Sequence, residues 1–381
     1  MKKVKNLAKR LLLRGEALRR WSARRARQLD EAYLGRLKEE RRSEPGAVDA
    51  PSIVRPGGKL DRILFIGDCM WEQNELFPEV EKICELKSLD LNPILQEADE
   101  NSLKEAAARA IEGFVAAEKD YEPDLILFYA RPALLSDQVF DVIRRRWKAP
   151  LLGLNLDDRI EFFPYGILSS GNDDYAGWIR KYDLNLTSSR AAVDWYRARG
   201  AAVRHMPQGF RVDDRFVAPP SEEEIDRGFS FVGSRKQERE KVIASLCENG
   251  VEVEIFGAGW PAGDWVEDPA TVFRHSQINL GIGYATPSAV LTQPKGRDIE
   301  CPGVGACYLT TYNWELTELF EIGREILCYR NIEELIEIYS HYAQRPEACL
   351  RIAQAAHRRC HAEHSWEKRL RTVFREVGFK A

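Results

Sequence analysis

The feature that most constrains the fold is an alternation of short apolar runs with helical stretches, which starts near residue 62 and begins again near residue 229. Such an alternation is typical of βαβ units around a parallel sheet. Because it occurs twice, we expect an α/β chain with two doubly wound, Rossmann-like parallel-sheet domains. The predicted strands lie at 62–67, 124–129, 151–155, 184–187 and 203–207, and then at 229–232, 251–256, 278–282, 306–310 and 326–329, with a helix from the first strand to about residue 86.

The domain division follows from this repeat and from the length of 381 residues, which exceeds what one hydrophobic core usually supports. A polar, proline-containing stretch at 213–228 separates the two units. We therefore predict a helix and linker at 1–58, a first domain at 59–215, a second at 216–365, and a closing helix at 366–381 that packs back on the first domain. Two such domains facing one another form a cleft between the carboxyl ends of their strands, where ligands bind.

The amino-terminal segment has a charge opposite to that of the rest of the chain. The formal net charge is -4, yet residues 1–44 hold fifteen Lys and Arg against six Asp and Glu. Leu7, Leu11, Leu18 and Trp21 recur there at helical spacing, which predicts a basic amphipathic helix. Residues 1–42 could contact anionic lipid headgroups. The helix could equally pack on the body of the protein or on a second copy.

Composition indicates a cytoplasmic protein. No apolar run approaches the roughly 20 residues that span a bilayer, and the Leu11–Leu13 run is too short for a signal peptide. The eight cysteines are scattered without a CxxC pair, which suits free thiols in a reducing compartment. A peripheral position at the inner face of the cell membrane stays open because of the basic segment, and no nucleic-acid partner is expected.

The most informative stretch lies between Gln293 and Gly305. Lys295 and Arg297 supply positive charge for a diphosphate, and Gly296 allows close backbone approach. Glu300 stands one turn into a predicted helix, where a carboxylate can accept hydrogen bonds from two hydroxyl groups. Asp298 could bind hydroxyls as well, or it could be a helix N-terminal acid stabilised by the dipole. Ordinary helix capping explains about half of such patterns, so residue types alone leave both interpretations open.

Three carboxylates are the candidates of the first domain. Asp68 follows the first predicted strand, and Asp157 and Asp158 follow the strand at 151–155. Because the carboxyl ends of parallel strands border the cleft, one of them could act as a base towards an acceptor hydroxyl or bind acceptor hydroxyls. Loop capping is the competing interpretation for each.

A longer pattern carries a family resemblance. The order K-G-R-D-x-E-x-P-x-x-G-A from residue 295, then W-E-L-x-x-L-F-E-x-G-x-E-I and N-x-E-E-L-I, resembles the carboxyl-terminal domain of CgeB-like (spore maturation protein) glycosyltransferases. The similarity is strongest over 229–370, where Phe231, Gly233, Ser234 and Arg239 match the family's F-x-G-S and Arg. In the first half, only short stretches such as 155–159 (NLDDR) look familiar.

The resemblance implies the GT-B fold and transfer of a sugar from a nucleotide-diphosphate sugar without a metal ion or other cofactor. By position, Gly233, Ser234 and Arg235 match the loop near the diphosphate, and Glu300 matches the carboxylate that holds the donor ribose. The family also resembles the retaining branch of GT-B enzymes. That branch has a first glutamate where this chain has Thr292, which leaves recognition of the donor sugar undecided.

The expected activity is therefore transfer of a sugar to a hydroxyl of a glycan, lipid or protein acceptor, with a role in cell-surface glycan synthesis. Two alternatives stay open. A nucleotide-sugar epimerase would convert the donor without an acceptor, and a non-catalytic, membrane-associated scaffold would have a degenerate donor site. The sequence identifies neither the base and sugar of the donor nor the acceptor.

Overall fold

The computed structural model describes residues 58–162, 175–261, 266–284 and 292–380. The predicted basic helix at 1–42 lies outside the described residues. Within them, the chain forms two α/β domains, each built on one parallel sheet. The α/β prediction with two doubly wound parallel sheets is confirmed.

The first domain has a six-stranded parallel sheet with the strand order β3-β2-β4-β5-β6-β7. Its strands are β2 (Arg62–Gly67), β3 (Glu85–Asp90), β4 (Leu125–Tyr129), β5 (Leu151–Asn155), β6 (Leu184–Thr187) and β7 (Val203–His205). Its helices are α1 (Glu72–Glu75), α2 (Phe77–Glu81), α3 (Asn92–Glu97), α4 (Leu103–Ala117), α5 (Asp137–Arg146), α6 (Asp158–Glu161) and α7 (Ala192–Ala198). The central strands β2, β4 and β5 are almost fully buried on both faces, which explains their continuous apolar sequences.

Strand β3 corrects the sequence prediction, which placed a helix through about residue 86. The helical stretch ends by residue 81, and Glu85–Asp90 pairs with β2 over six residues. This strand lies at the sheet edge and reads ELKSLD, with no fully buried residue. Because it has charged side chains and only two leucines, its periodicity does not distinguish it from a helix end.

The second domain has a five-stranded parallel sheet with the order β12-β11-β10-β8-β9. Its strands are β8 (Arg227–Val232), β9 (Glu254–Phe256), β10 (Ser276–Leu280), β11 (Tyr308–Thr311) and β12 (Leu327–Tyr329). Its helices are α8 (Gln237–Glu248), α9 (Pro269–His275), α10 (Arg297–Gly303), α11 (Ile332–Ala343) and α12 (Pro346–Glu363). Helix α10, on which the predicted donor residues lie, packs against α12 and β11.

Two crossing segments connect the domains and lie side by side. The amide of Phe210 donates to the carbonyl of His364 at 3.2 Å, and the amide of Trp366 donates to the carbonyl of Phe210 at 3.1 Å. After the second crossing, α13 (Trp366–Glu376) packs into the apolar cluster around Ile63 and Phe65 of the first domain. The short strands β1 (Gly58–Lys59) and β13 (Phe379–Lys380) pair in parallel beyond it.

Trp366 is the main apolar contact of the returning helix, and its replacement tests that attachment. Its side chain is 1% exposed, and its ring stacks on that of Trp71 with the centroids 5.8 Å apart. We expect Trp366→Ala to lower the free energy of unfolding by about 3–5 kcal/mol, the usual loss for a buried aromatic. Urea unfolding followed by circular dichroism measures it.

Trp314→Ala is the matched control, because Trp314 is 45% exposed. We expect a change below about 1 kcal/mol for it. Equal losses in the two variants would show that α13 is not attached through Trp366.

Candidate functional site in the interdomain cleft

The carboxyl ends of the two sheets face each other and touch through charged side chains. The Lys295 ammonium, just before α10, pairs with the Asp157 carboxylate after β5 at 2.7 Å. The Arg159 guanidinium of α6 pairs with Glu315, which follows β11, and both are almost fully buried. Arg159 also donates to the carbonyl of Thr292. These contacts join the two sheet edges. Glu315 was not among the residues predicted from the sequence.

Glu315 has further partners in the first domain. Its carboxylate accepts a hydrogen bond from the amide of Arg190 at 2.9 Å and another from the hydroxyl of Ser189 at 3.4 Å. Both donors follow β6, whereas Arg159 follows β5. Glu315 therefore contacts residues beyond the ends of two neighbouring strands. A buried carboxylate with a guanidinium and two further donors has the partners that burial of charge requires.

A cationic cluster formed by Lys236, Arg239 and Arg297 surrounds the loop after β8. A Cβ atom at position 233 would lie 2.5 Å from Nη1 of Arg297 and 3.0 Å from Nη1 of Arg239, so glycine leaves the space that the two guanidinium groups occupy. Arg239 donates to the carbonyl of Ser234 at 2.8 Å, and Arg297 donates to the carbonyl of Val232.

No carboxylate of the described residues forms an ion pair with this cluster. Burial, and then the neighbouring charge of Arg297, lowers the pKa of Arg239 to about 10. Burial, Arg239 and Lys295 lower the pKa of Lys236. Mutual repulsion of this kind indicates a site for an anion. Arg297 is a predicted donor residue, whereas Lys236 was missed and Arg239 was noted only for its match to the family.

Lys295 and Arg235, also predicted for the diphosphate, have partners already. Lys295 is bound to Asp157, as described above. Arg235 pairs through its Nε with the Glu240 carboxylate at 2.6 Å on an exposed surface. Ser234 accepts from Arg239 through both its carbonyl and its hydroxyl oxygen. The loop therefore presents its charge chiefly through Arg239 and Arg297.

The Glu300 carboxylate lies beside the first turn of α10. Burial raises its pKa, and Arg297 opposes that rise. None of the described residues donates a hydrogen bond to it. A Cβ atom at position 296 would lie 2.5 Å from Oε1 of Glu300, so Gly296 makes room for the carboxylate. Glu300 is thus half-buried, and its oxygens are available to accept hydrogen bonds from hydroxyl groups.

Asp298 and Asp158 are turned towards the protein interior. Asp298 is 2% exposed and accepts from the amide of Lys295 at 2.6 Å and from the hydroxyl of Thr310 at 3.0 Å. Asp158 is fully buried and accepts from the hydroxyls of Thr187 and Tyr196, the latter at 2.7 Å. Neither arrangement places the carboxylate in the cleft, because existing donors within the fold occupy both side chains.

Other carboxylates of the first domain lie at the cleft edge. Asp68 pairs with Nε of Arg131 at 2.9 Å, and burial raises its pKa. Glu72 accepts from the amide of Met70 at 2.6 Å, and burial raises its pKa to about 7. Burial and the charges of Asp157, Asp158 and Asp68 raise the pKa of Glu161 to about 8. Asp68 and Asp157 were predicted from the sequence, whereas Glu72 and Glu161 were not, because in the sequence they look like ordinary acidic residues of helices.

Three histidines near the second crossing each contact a backbone carbonyl. The ring Nε2 atoms of His357, His361 and His364 lie 2.8, 3.1 and 2.9 Å from the carbonyl oxygens of Phe216, Gly303 and Leu319. In the part of the chain that the structure describes, no three His, Cys, Asp or Glu side chains are grouped as a metal ion would require. In the same part, no helix combines the length and apolar character needed to cross a membrane.

Comparisons with known proteins match the second domain and the fold. Residues 235–375 match the family model described as glycosyl transferase-like. A comparison with curated proteins found no match. Among solved structures, the sucrose-phosphate synthase of Thermosynechococcus elongatus is 12% identical, with a TM-score of 0.59 over 83% of this chain and 99% of that chain.

Two further structures show the same fold. Anabaena HepE in complex with UDP and glucose is 12% identical, with a TM-score of 0.56 over 83% of this chain and 99% of that one. A Listeria monocytogenes protein assigned as a UDP-N-acetylglucosamine 2-epimerase is 15% identical, with a TM-score of 0.52 over 84% and 98%. The expected GT-B fold is thereby confirmed, and the second domain matches a glycosyl transferase-like family model.

The burial of Asp158 leads to a pH prediction. Its pKa is raised from 3.8 to about 7, mainly by burial, so the folded protein favours the protonated carboxyl. The stability that this group contributes is complete below pH 3.8 and is lost as the pH rises through about 7. Between pH 5 and 7.5, we expect the wild type to lose more than about 1 kcal/mol of unfolding free energy relative to Asp158→Asn, since one pKa unit equals about 1.4 kcal/mol.

Chemical unfolding across that pH range measures the difference. Asp268→Asn is the control, because a hydrogen bond from Arg215 lowers the pKa of Asp268 and keeps it ionised above pH 5. Its difference from wild type should stay constant above pH 5. Parallel stability curves for wild type and Asp158→Asn would contradict the buried position of Asp158.

Proposed function

We propose that this chain, whose fold is GT-B and whose second domain is glycosyl transferase-like, transfers a sugar from a nucleotide-diphosphate sugar to a hydroxyl of a glycan, lipid or protein acceptor. The second domain holds the donor, and the first holds the acceptor. One observation carries the proposal: Arg239 and Arg297 converge over Gly233 without a carboxylate partner, on the same edge of the sheet as the available carboxylate of Glu300.

The cationic cluster suits a diphosphate leaving group. Breaking the bond between sugar and phosphate builds negative charge on the diphosphate, and guanidinium groups already held in place stabilise that charge without reorganisation. Arg239 and Arg297 are held by the carbonyls of Ser234 and Val232, so their positions exist before the donor binds. With this charge supplied by side chains, we propose that transfer needs no metal ion.

Glu300 suits the ribose of the donor. A carboxylate accepts two hydroxyl hydrogen bonds at once, and charge-assisted bonds of this type are the strong ones. Glu300 has no competing donor among the described residues, and Gly296 leaves its Oε1 unobstructed. UDP is the first nucleotide to test, because HepE was solved with it.

The acceptor side offers hydroxyl-binding carboxyls. Glu161 has a pKa of about 8, so its protonated form can donate a hydrogen bond to an acceptor while the ionised Asp157 accepts one. In a retaining reaction, the leaving phosphate can take the acceptor proton, so no protein base is needed. We propose retention on the resemblance to the retaining branch, together with CgeB-like specificity and peripheral membrane contact through residues 1–42.

Arg297→Met tests the diphosphate site. Removal of the Arg297 guanidinium eliminates a charge-assisted hydrogen bond worth about 1.5–3 kcal/mol. We therefore expect the affinity for UDP to fall at least about 10-fold. Calorimetric titration with UDP measures this, and binding of uridine alone should change little. Arg324→Met is the control, because Arg324 is exposed and forms its ion pair with Glu321. Unchanged UDP affinity in Arg297→Met would exclude this site.

Glu300→Ala tests the ribose assignment without knowledge of the acceptor. Wild type should prefer UDP over 2′-deoxy-UDP by about 10-fold or more, the value of a hydrogen bond to a charged group. In Glu300→Ala this preference should disappear, and transfer should be abolished while the circular dichroism spectrum stays native. A variant that keeps the preference for ribose, or full transfer activity, would contradict the role of Glu300.

An epimerase is a second candidate, favoured by the similarity to the Listeria protein assigned to that activity. The two reactions differ in whether they need an acceptor. We expect no isomerised donor when the protein is incubated with sugar nucleotides alone, and nuclear magnetic resonance of the donor sugar resolves the isomers. Turnover of the donor into its epimer without acceptor would replace the transferase proposal.

A further inference from the structure

A second charged cavity lies where the chain crosses between the domains, outside the cleft. Its volume is about 500 Å³. One wall is the segment His205–Pro207 after β7, and the opposite wall is one face of α13, from Lys368 to Glu376. Lys368, Thr372 and Arg375 share that face at helical spacing, as do Arg369, Val373 and Glu376.

Arg369 lines this cavity and has no ion-pair partner among the described residues. Its Nε and Nη2 atoms are buried and have no hydrogen-bond partner among the described residues. Burial lowers the pKa of Arg369 to about 10, which is still far above neutrality. The residue as a whole is half-buried, and a guanidinium that stays charged while partly removed from water is destabilised unless an anion pairs with it.

The acidic side chains of the cavity are already engaged elsewhere. Glu363 pairs with Arg359 at 2.9 Å, and Glu376 pairs with Arg204 at 3.0 Å. Neither therefore forms an ion pair with Arg369, although Glu363 is close enough to raise its pKa against burial. The lining carboxylates leave the charge of Arg369 unneutralised.

Arg371, another cation of the lining, pairs with Glu367 at 2.8 Å, but two further cations add to the excess. Lys368 donates to the carbonyls of His361 and Ala362, and Arg375 donates to the carbonyl of Arg371. Both contacts satisfy donors without neutralising charge, because carbonyl groups are neutral. His205 adds none, since burial lowers its pKa to about 4 and its ring is neutral. Three uncompensated cations thus border one cavity.

We propose that this cavity binds a phosphate-bearing ligand whose phosphate pairs with Arg369, with Lys368 and Arg375 beside it. Guanidinium groups match phosphate oxygens in geometry and charge. Met206, Pro207 and Val373 supply apolar wall for an organic body, and the volume is in the range of small-molecule sites. Such a ligand could be a soluble phosphate ester or the headgroup of a phospholipid, since the phosphate chemistry is the same.

Calorimetric titration with glucose 6-phosphate, at low ionic strength, tests the soluble source. The donor site could also take phosphate, so the titration is run on wild type, Arg297→Met and Arg369→Met. We expect one binding site whose affinity for glucose 6-phosphate is unchanged in Arg297→Met and at least 10-fold weaker in Arg369→Met. Arg351→Met is the control, since Arg351 is exposed and far from the lining. Arg369→Lys, which keeps the charge, should retain part of the affinity and shows that a loss is not misfolding.

Sedimentation with vesicles tests the lipid source. Phosphatidylcholine vesicles containing phosphatidic acid are compared with pure phosphatidylcholine, because the former expose a phosphate monoester. If Arg369→Met reduces binding to the phosphatidic acid vesicles at least 10-fold and Arg351→Met does not, the ligand is a lipid headgroup. If neither glucose 6-phosphate nor these vesicles depend on Arg369, or if Arg297→Met removes all phosphate binding, the proposal is wrong. Failure of the donor site would leave this result unaffected.

Discussion

The buried contact between Arg159 and Glu315 is the interaction on which the cleft depends. Each side chain comes from a different domain, and each is almost inaccessible to water. Glu315 also binds the amide of Arg190, so its carboxylate is attached to the first sheet at two strand ends. Removal of either partner would leave a buried charge unpaired, which is far more costly than the loss of a surface ion pair. The contact therefore fixes how closely the two sheet edges approach.

The charges in the cleft differ according to whether the fold has already neutralised them. Glu315 and Asp298 have protein donors and so act in the architecture. Arg239 and Arg297 are held by backbone carbonyls, and Glu300 has no hydrogen-bond donor among the described residues. None of the three forms an ion pair among these residues, which is what a site for a charged ligand requires. Lys295 is intermediate, because its partner Asp157 belongs to the opposite domain. An anion near Arg297 would compete with Asp157 for Lys295.

Sequence periodicity was sufficient for the inner strands of the two sheets, since most of their residues are buried and their apolar runs can be recognised without tertiary information. It failed for the strand Glu85–Asp90. This strand lies at the edge of the sheet and is half-exposed, so its apolar and polar residues do not alternate clearly. Arg297 and Glu300 could be proposed as site residues from their chemical type alone. The hydrogen-bond partners of the buried carboxylates could not be predicted in this way. Asp158 and Glu161 are three residues apart, yet one is satisfied by Thr187 and Tyr196 and the other is not, and only packing decides which.

The glycines of the site show the same difference between type and context. Gly296 was expected to let backbone approach a ligand, and neither it nor Gly233 has the positive φ that would demand glycine for conformational reasons. Both are needed for the volume that they leave. At 233 that volume holds two guanidinium groups, and at 296 it holds the Glu300 carboxylate. A methyl group at either position would displace the charged atoms themselves rather than the ligand. The positions of the charges in the candidate site thus depend on the lack of a side chain at Gly233 and Gly296 as well as on the charged residues themselves.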